Sequence, residues 1–148
     1  LIHKTNQFNS SAIRWSESEV LDMIDSSRFS VELIELEDIY SNHGLIGLII
    51  LEKNKNSIWV VKSFILSCRI LGRRLEMLVF LRLIDKFNKP LLAFVGNSKN
   101  HVFKKFLDDS DVKEKHLDSR SLDKRGDSKV FQLEINSSMQ KYYEILND

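Results

Sequence analysis

The chain has 148 residues, 43% of them hydrophobic, which suits one globular domain (1–148) large enough to bury a real core. Its 22 basic and 21 acidic residues leave a formal charge of +1, so composition argues against a global polyanion or nucleic-acid binder and confines any anion site to a local patch. The single cysteine, Cys68, excludes an intrachain disulfide, no Cys/His spacing suggests a metal, and no apolar run approaches the ~20 residues of a membrane helix. The expectation is a cytoplasmic domain without metal, nucleic-acid or membrane partners.

After the polar opening "HKTNQFNSSAIRW", Ser16 with Glu19 forms a capping box and predicts a helix over Glu17 to Ser26. "FSVELIELEDIY" and "GLIGLIILEK" read as strands of a hairpin, joined through "SNHG". "KNKNS" is a second turn, and "IWVVKSFIL", rich in β-branched and aromatic residues, a third strand. A helix over Arg73 to Phe87 is apolar on most of its circumference and predicts deep burial. "KPLLAFVG" is a short apolar strand, expected to run parallel to the one before the helix through a right-handed crossover. Ser98 caps a further helix over "SKNHVFKKFL". The polar stretch Asp108 to Lys129 reads as a surface loop, "VFQLEI" as a closing strand and "SSMQKYYEILND" as a tail with a short helix. The fold class is therefore α/β, a sheet of mixed direction flanked by helices.

The most informative joint is "LSCRILGRRLE", Leu66 to Glu76, where strand gives way to helix around Arg69, Gly72, Arg73 and Arg74. A helix N-terminus presents unpaired N–H groups and partial positive charge, and a glycine lets backbone approach a ligand closely, so the joint suits a phosphate group. Solvated arginines are the alternative. The spacing Arg69-x-x-Gly72-x-Arg74 is similar to the Arg/Gln-x-x-Gly-x-Gly/Ala loop with which GNAT-fold acyltransferases hold the pyrophosphate of coenzyme A, although the last position here is Arg rather than a small residue.

Four stretches in this order, "KTNQFN" (Lys4 to Asn9), "NHGLIG" (Asn42 to Gly47), "LSCRILGRRLE" and Lys99-Asn100, resemble the C-terminal GNAT-like domain of FkbH-like proteins. The resemblance spans Lys4 to Phe106. It implies a GNAT-like fold, a preceding HAD-type phosphatase-like domain in a longer protein, and an acyl carrier protein as partner. It also implies a transferase role in glyceryl or methoxymalonyl-ACP formation, handling a phosphopantetheine thioester on coenzyme A or on the carrier. Arg69, Gly72, Arg73 and Arg74 would then hold the phosphates, and Asn6, Gln7, Asn9 and Asn100 the substrate. The Phe-Tyr and Gly-Phe pairs of many GNAT enzymes correspond here to Phe106-Leu107 and Asp111-Val112, which removes the usual tyrosine acid and disfavours a conventional amine acetyltransferase. A non-catalytic carrier-docking module is the alternative.

Individual residues keep two readings. Cys68, beside Arg69 and a helix start, is a candidate nucleophile, or an inert small hydrophobe at the end of a buried strand. His43 is a base or a polar turn residue. Asn6, Gln7 and Asn9 orient a substrate amide or hold the N-terminal segment to the sheet edge. "DDSD" (Asp108 to Asp111) lacks the preceding apolar strand of a HAD nucleophile motif and reads as a helix end, "RGD" (Arg125 to Asp127) is a chance match, and Trp15 and Trp59 are packing residues.

Overall fold

The computed structural model of the protein describes residues 8–72, 74–88, 91–95, 100–110, 128–132 and 144. Within them the chain forms β1 (Phe8–Asn9), α1 (Glu17–Ile24), β2 (Phe29–Glu37), β3 (Asn42–Lys53), β4 (Trp59–Leu66), a 3-10 turn (Cys68–Ile70), α2 (Leu75–Lys86), β5 (Leu91–Val95), α3 (His101–Asp109) and β6 (Ser128–Gln132). One mixed sheet carries the strands in the order β2-β3-β4-β5-β6, with β1 paired to β4 off that path. The expected Ser98 cap, most of the loop after Asp108 and the tail lie outside the described residues.

Local sequence accounts for most of these elements. The capping box of α1 forms as its residues require: Ser16 Oγ accepts from Glu19 N, while the Glu19 carboxylate accepts from Ser16 N at 2.8 Å. The hairpin of β2 and β3 is antiparallel, and β3 pairs antiparallel with β4. The expected parallel neighbour of β4 is β5, though their pairing is confined to Val60 with Leu91 and Val61 with Leu92.

β3 is buried on both faces, which its unbroken apolar run "LIGLIIL" requires. Leu48 and Ile50 join Trp15 and Met23 on the α1 side of the sheet, while Ile49 and Leu51 join the core under α2 and α3. Ile46 would fall on the α1 side by strict alternation. The register slips there instead, since Ile34 faces Gly47 and the next residue, Glu35, faces Leu45, and the extra residue turns Ile46 into the α2 core. Gly47 sits where a Cβ would come within 2.7 Å of Leu66 Cδ2 and 2.8 Å of Ile34 Cδ1, so bulk there would displace both neighbours.

β1 is the element that the polar opening hid. Phe8 pairs with Leu66 and Asn9 with Ile65, on the side of β4 that β5 has left. Phe8 is 1% exposed, and its ring meets Phe103 at 4.8 Å, Phe64 at 5.3 Å and Phe106 at 5.5 Å in edge-on contacts. One side chain thereby ties β1, β4 and α3 together. On the opposite face, Ser63 Oγ accepts from Trp15 Nε1 at 2.8 Å and lies 2.7 Å from Ser11 Oγ, so the buried hydroxyls of this junction pair with one another.

Replacing Phe8 by Ala should lower the unfolding free energy by about 3–5 kcal/mol, the range for deleting a buried aromatic ring. Urea denaturation measures this, and a loss below about 1 kcal/mol would mean that the junction does not depend on the ring.

Candidate functional site

β4 delivers the chain to the joint. Ser67, buried, donates its N–H to Ile46 O at 2.7 Å, and its hydroxyl accepts from Arg69 N at 3.4 Å and Arg69 Nε at 3.3 Å. Ile70, 1% exposed, pins the following turn to the core. This leaves Cys68 and Arg69 exposed on the outer side of the turn.

Two left-handed residues then reverse the chain into α2. Gly72 has φ +81°, and a Cβ there would meet nothing within 4 Å, so the glycine serves backbone conformation rather than space. Arg74, the N-cap of α2, has φ +60° and makes no side-chain cap to the helix. Met77 N–H donates to Arg74 O at 3.2 Å, and a start without a side-chain cap suits an anion at the N–H groups ahead of it. Arg73 lies outside the described residues, as do Asn6 and Gln7.

Gly72 and Arg74 open onto a cleft of about 660 Å³ between the start of α2 and one side of α3, within the size range of small-molecule sites. Phe8, Met77, Val102 and Phe106 give it an apolar inner wall, while Arg74, Glu76, Lys105 and Asp109 supply two cations and two carboxylates. Cys68, Arg69 and His43 are not part of this lining. Glu76, Lys105 and Phe8 are site residues that the sequence did not single out. For α3 the signal was present, because Val102, Lys105, Phe106 and Asp109 follow the i, i+3, i+4, i+7 spacing of one helical stripe.

Four separate stretches of sequence converge behind the cleft, at the end of β4. Leu66 of "LSCRILGRRLE" pairs with Phe8 of "KTNQFN" on one side and with Gly47 of "NHGLIG" on the other. Asn100 is fully buried, and its Nδ2 donates to Ser10 O at 3.5 Å, beside Asn9. Asn9 is buried too; its Nδ2 donates to Ile13 O at 3.1 Å and its Oδ1 accepts from Ser11 N at 3.3 Å. The amide of Asn9 thus shapes the N-terminal segment.

His43 is the second residue of β3, just past the β2–β3 turn. Its Nε2 is 2.8 Å from Asp38 Oδ2 and 3.1 Å from Ser41 Oγ, and because both partners meet the same ring nitrogen the group cannot relay a proton through the imidazole. Among the described residues no group of three His, Cys, Asp or Glu side chains is arranged to hold a metal ion, and no helix is long and apolar enough to cross a membrane. Comparison with protein-family models and with curated proteins gave no match to this chain.

Two outcomes are expected here. Because φ +60° at Arg74 is costly for any side chain, Arg74→Gly should be more stable than Arg74→Ala by about 1 kcal/mol in urea denaturation, and equal stabilities would mean that the turn relaxes on substitution. The His43 ring, with the N–H groups of Tyr40 and Ser41, pulls the Asp38 carboxyl down to about 2 from its ordinary 3.8. A lowered folded value contributes stability that is complete above the ordinary aspartate range and is lost as pH falls through about 2. The amide resonances of Tyr40 and Ser41 should titrate with that low midpoint; a midpoint near 3.8 would show that the turn contacts do not hold the carboxylate.

Proposed function

We propose that the protein is an acyltransferase-like domain of GNAT type that binds a phosphopantetheine thioester, on coenzyme A or on an acyl carrier protein. The observation that carries this reading is the convergence at the end of β4: stretches as far apart as Ser10 and Asn100, 90 positions, which together resemble the FkbH-like C-terminal domain, meet beside one helix start and one cleft. The left-handed backbone at Arg74 adds support. In the phosphate loop of GNAT enzymes that position is small, and a left-handed residue is what a small residue there accommodates.

In this reading the phosphates lie against the first turn of α2, at Gly72 and Arg74, with Arg73 and Arg69 as further cations, and the arm runs along the cleft over Phe8. The arm does not pass between β4 and β5, because β1 pairs with Leu66 and Ile65 where β5 has departed. Catalysis would rest on positioning of the thioester rather than on a dedicated base. The product class is a glyceryl or methoxymalonyl unit on its carrier, the glyceryl unit deriving from 1,3-bisphosphoglycerate, with an associated phosphatase-like HAD-type domain in the longer protein. The position of Cys68, exposed and outside the cleft lining, favours a second reading in which the domain only docks the carrier protein.

Calorimetric titration with coenzyme A should give saturable binding, weakened about tenfold in Arg74→Ala, as expected for losing one charge-assisted contact. No binding to coenzyme A, together with equal affinity for carrier protein with and without its phosphopantetheine arm, would replace the transferase reading by the docking one. Acyl transfer that survives Cys68→Ala would exclude the cysteine as nucleophile.

A further inference from the structure

Glu76 stands out within the cleft. It is half-buried in the first turn of α2, and its Oε2 is closed to solvent and has no hydrogen-bond partner. The charge itself is well placed, since a carboxylate near a helix N-terminus is favoured by the helix dipole. That does not satisfy the oxygen, and a carboxylate oxygen closed to solvent without a donor is a cost that the fold alone gives no reason to keep. The residue lines the same cleft as Arg74 and Lys105, which are exposed beside it.

A negative group here repels phosphate, so the ligand portion beside Glu76 carries no negative charge and donates hydrogen bonds, as the neutral amides and hydroxyl of a phosphopantetheine arm do. The terminal torsion of a glutamate is soft, and a small turn of the carboxylate presents either oxygen to the cleft. We propose that Glu76 is the acceptor that reads the arm of a phosphopantetheine ligand, taking a hydrogen bond from one of its amide N–H or hydroxyl groups. This rests on the phosphopantetheine reading above and adds to it a division of labour: the backbone at Gly72 and the Arg74 side chain hold the phosphate end, and Glu76 sets the depth and register of the arm. No bond forms or breaks at Glu76, which makes it a positioning residue.

The test compares coenzyme A with adenosine 3′,5′-bisphosphate, which keeps the 3′-phosphate and the first 5′-phosphate and lacks the second 5′-phosphate together with the arm. Affinities of both are measured for the full 148-residue chain, for Glu76→Ala and for Glu76→Gln, with thermal unfolding recorded alongside. The unsubstituted protein should prefer coenzyme A; Glu76→Ala should lose about tenfold to a hundredfold of that preference and Glu76→Gln, which keeps a neutral acceptor, a smaller share, while bisphosphate affinity holds in both. If Glu76→Ala does not fold, the Glu76→Gln ratio decides. An unchanged ratio of the two affinities overturns the role of Glu76 and leaves the phosphopantetheine reading standing. Bisphosphate binding with no preference for coenzyme A overturns the arm site alone, and binding of neither overturns both.

Discussion

The seating of Phe8 against the end of β4 is the constraint on which the rest of the structure depends. Among the described residues β5 pairs with β4 at two positions and then leaves it, exposing the edge of a strand whose residues from Ser63 to Leu66 are fully buried. An open edge inside a core leaves backbone donors and acceptors without partners. β1 fills it with a two-residue pairing, extended by Ser10, which takes Phe64 O through its N–H at 3.1 Å and accepts from Phe64 N through Oγ at 2.9 Å. The Phe8 ring then converts this short strand into a contact among three elements.

The same junction explains the polar character of the N-terminal segment. Asn9, Ser10 and Ser11 are all buried, and a buried polar side chain is tolerable only when paired. Ser11 meets Ser63, Ser63 also takes the Trp15 indole N–H, Asn9 braces Ser11 and Ile13, and Asn100 reaches Ser10 from the start of α3. These bonds join two cores on opposite faces of the sheet, one under α2 and α3, the other under α1. Polarity here is structural, and the cleft lies on the α2 and α3 side of it.

The cleft follows from how α2 begins. Ile70 is pinned in the core while Gly72 and Arg74 adopt left-handed backbone, so α2 starts abruptly and without a side-chain cap. α3 packs through Phe103 and Phe106 against Phe8 and leaves its Val102–Lys105–Asp109 stripe facing the gap. The result is a cleft with an apolar wall and both signs of charge at its rim, within the size range of small-molecule sites.

Local sequence by itself determined the elements and their order. The Ser16 and Glu19 cap, the alternation in β2, the double-sided burial of β3 and the apolar circumference of α2 are written in neighbouring residues, and α1, the hairpin and α2 follow from them within a few positions. The strand-to-helix joint was legible for the same reason, because Gly72 and its arginines are adjacent in the chain. Tertiary structure alone decided that Phe8 and Asn9 form a strand, that Cys68 and Arg69 face outward while Arg74 faces the cleft, and that Glu76 and Lys105 share one wall with it. A two-residue strand has no periodicity to read, and an "NQFNSS" stretch gives no sign of burial until its partners on β4 and α3 are in place. Which residues share a cleft depends on the packing of helices some 30 positions apart, and that is made by Phe106 meeting both Phe80 of α2 and Phe8 of β1, contacts that no pattern within either helix specifies.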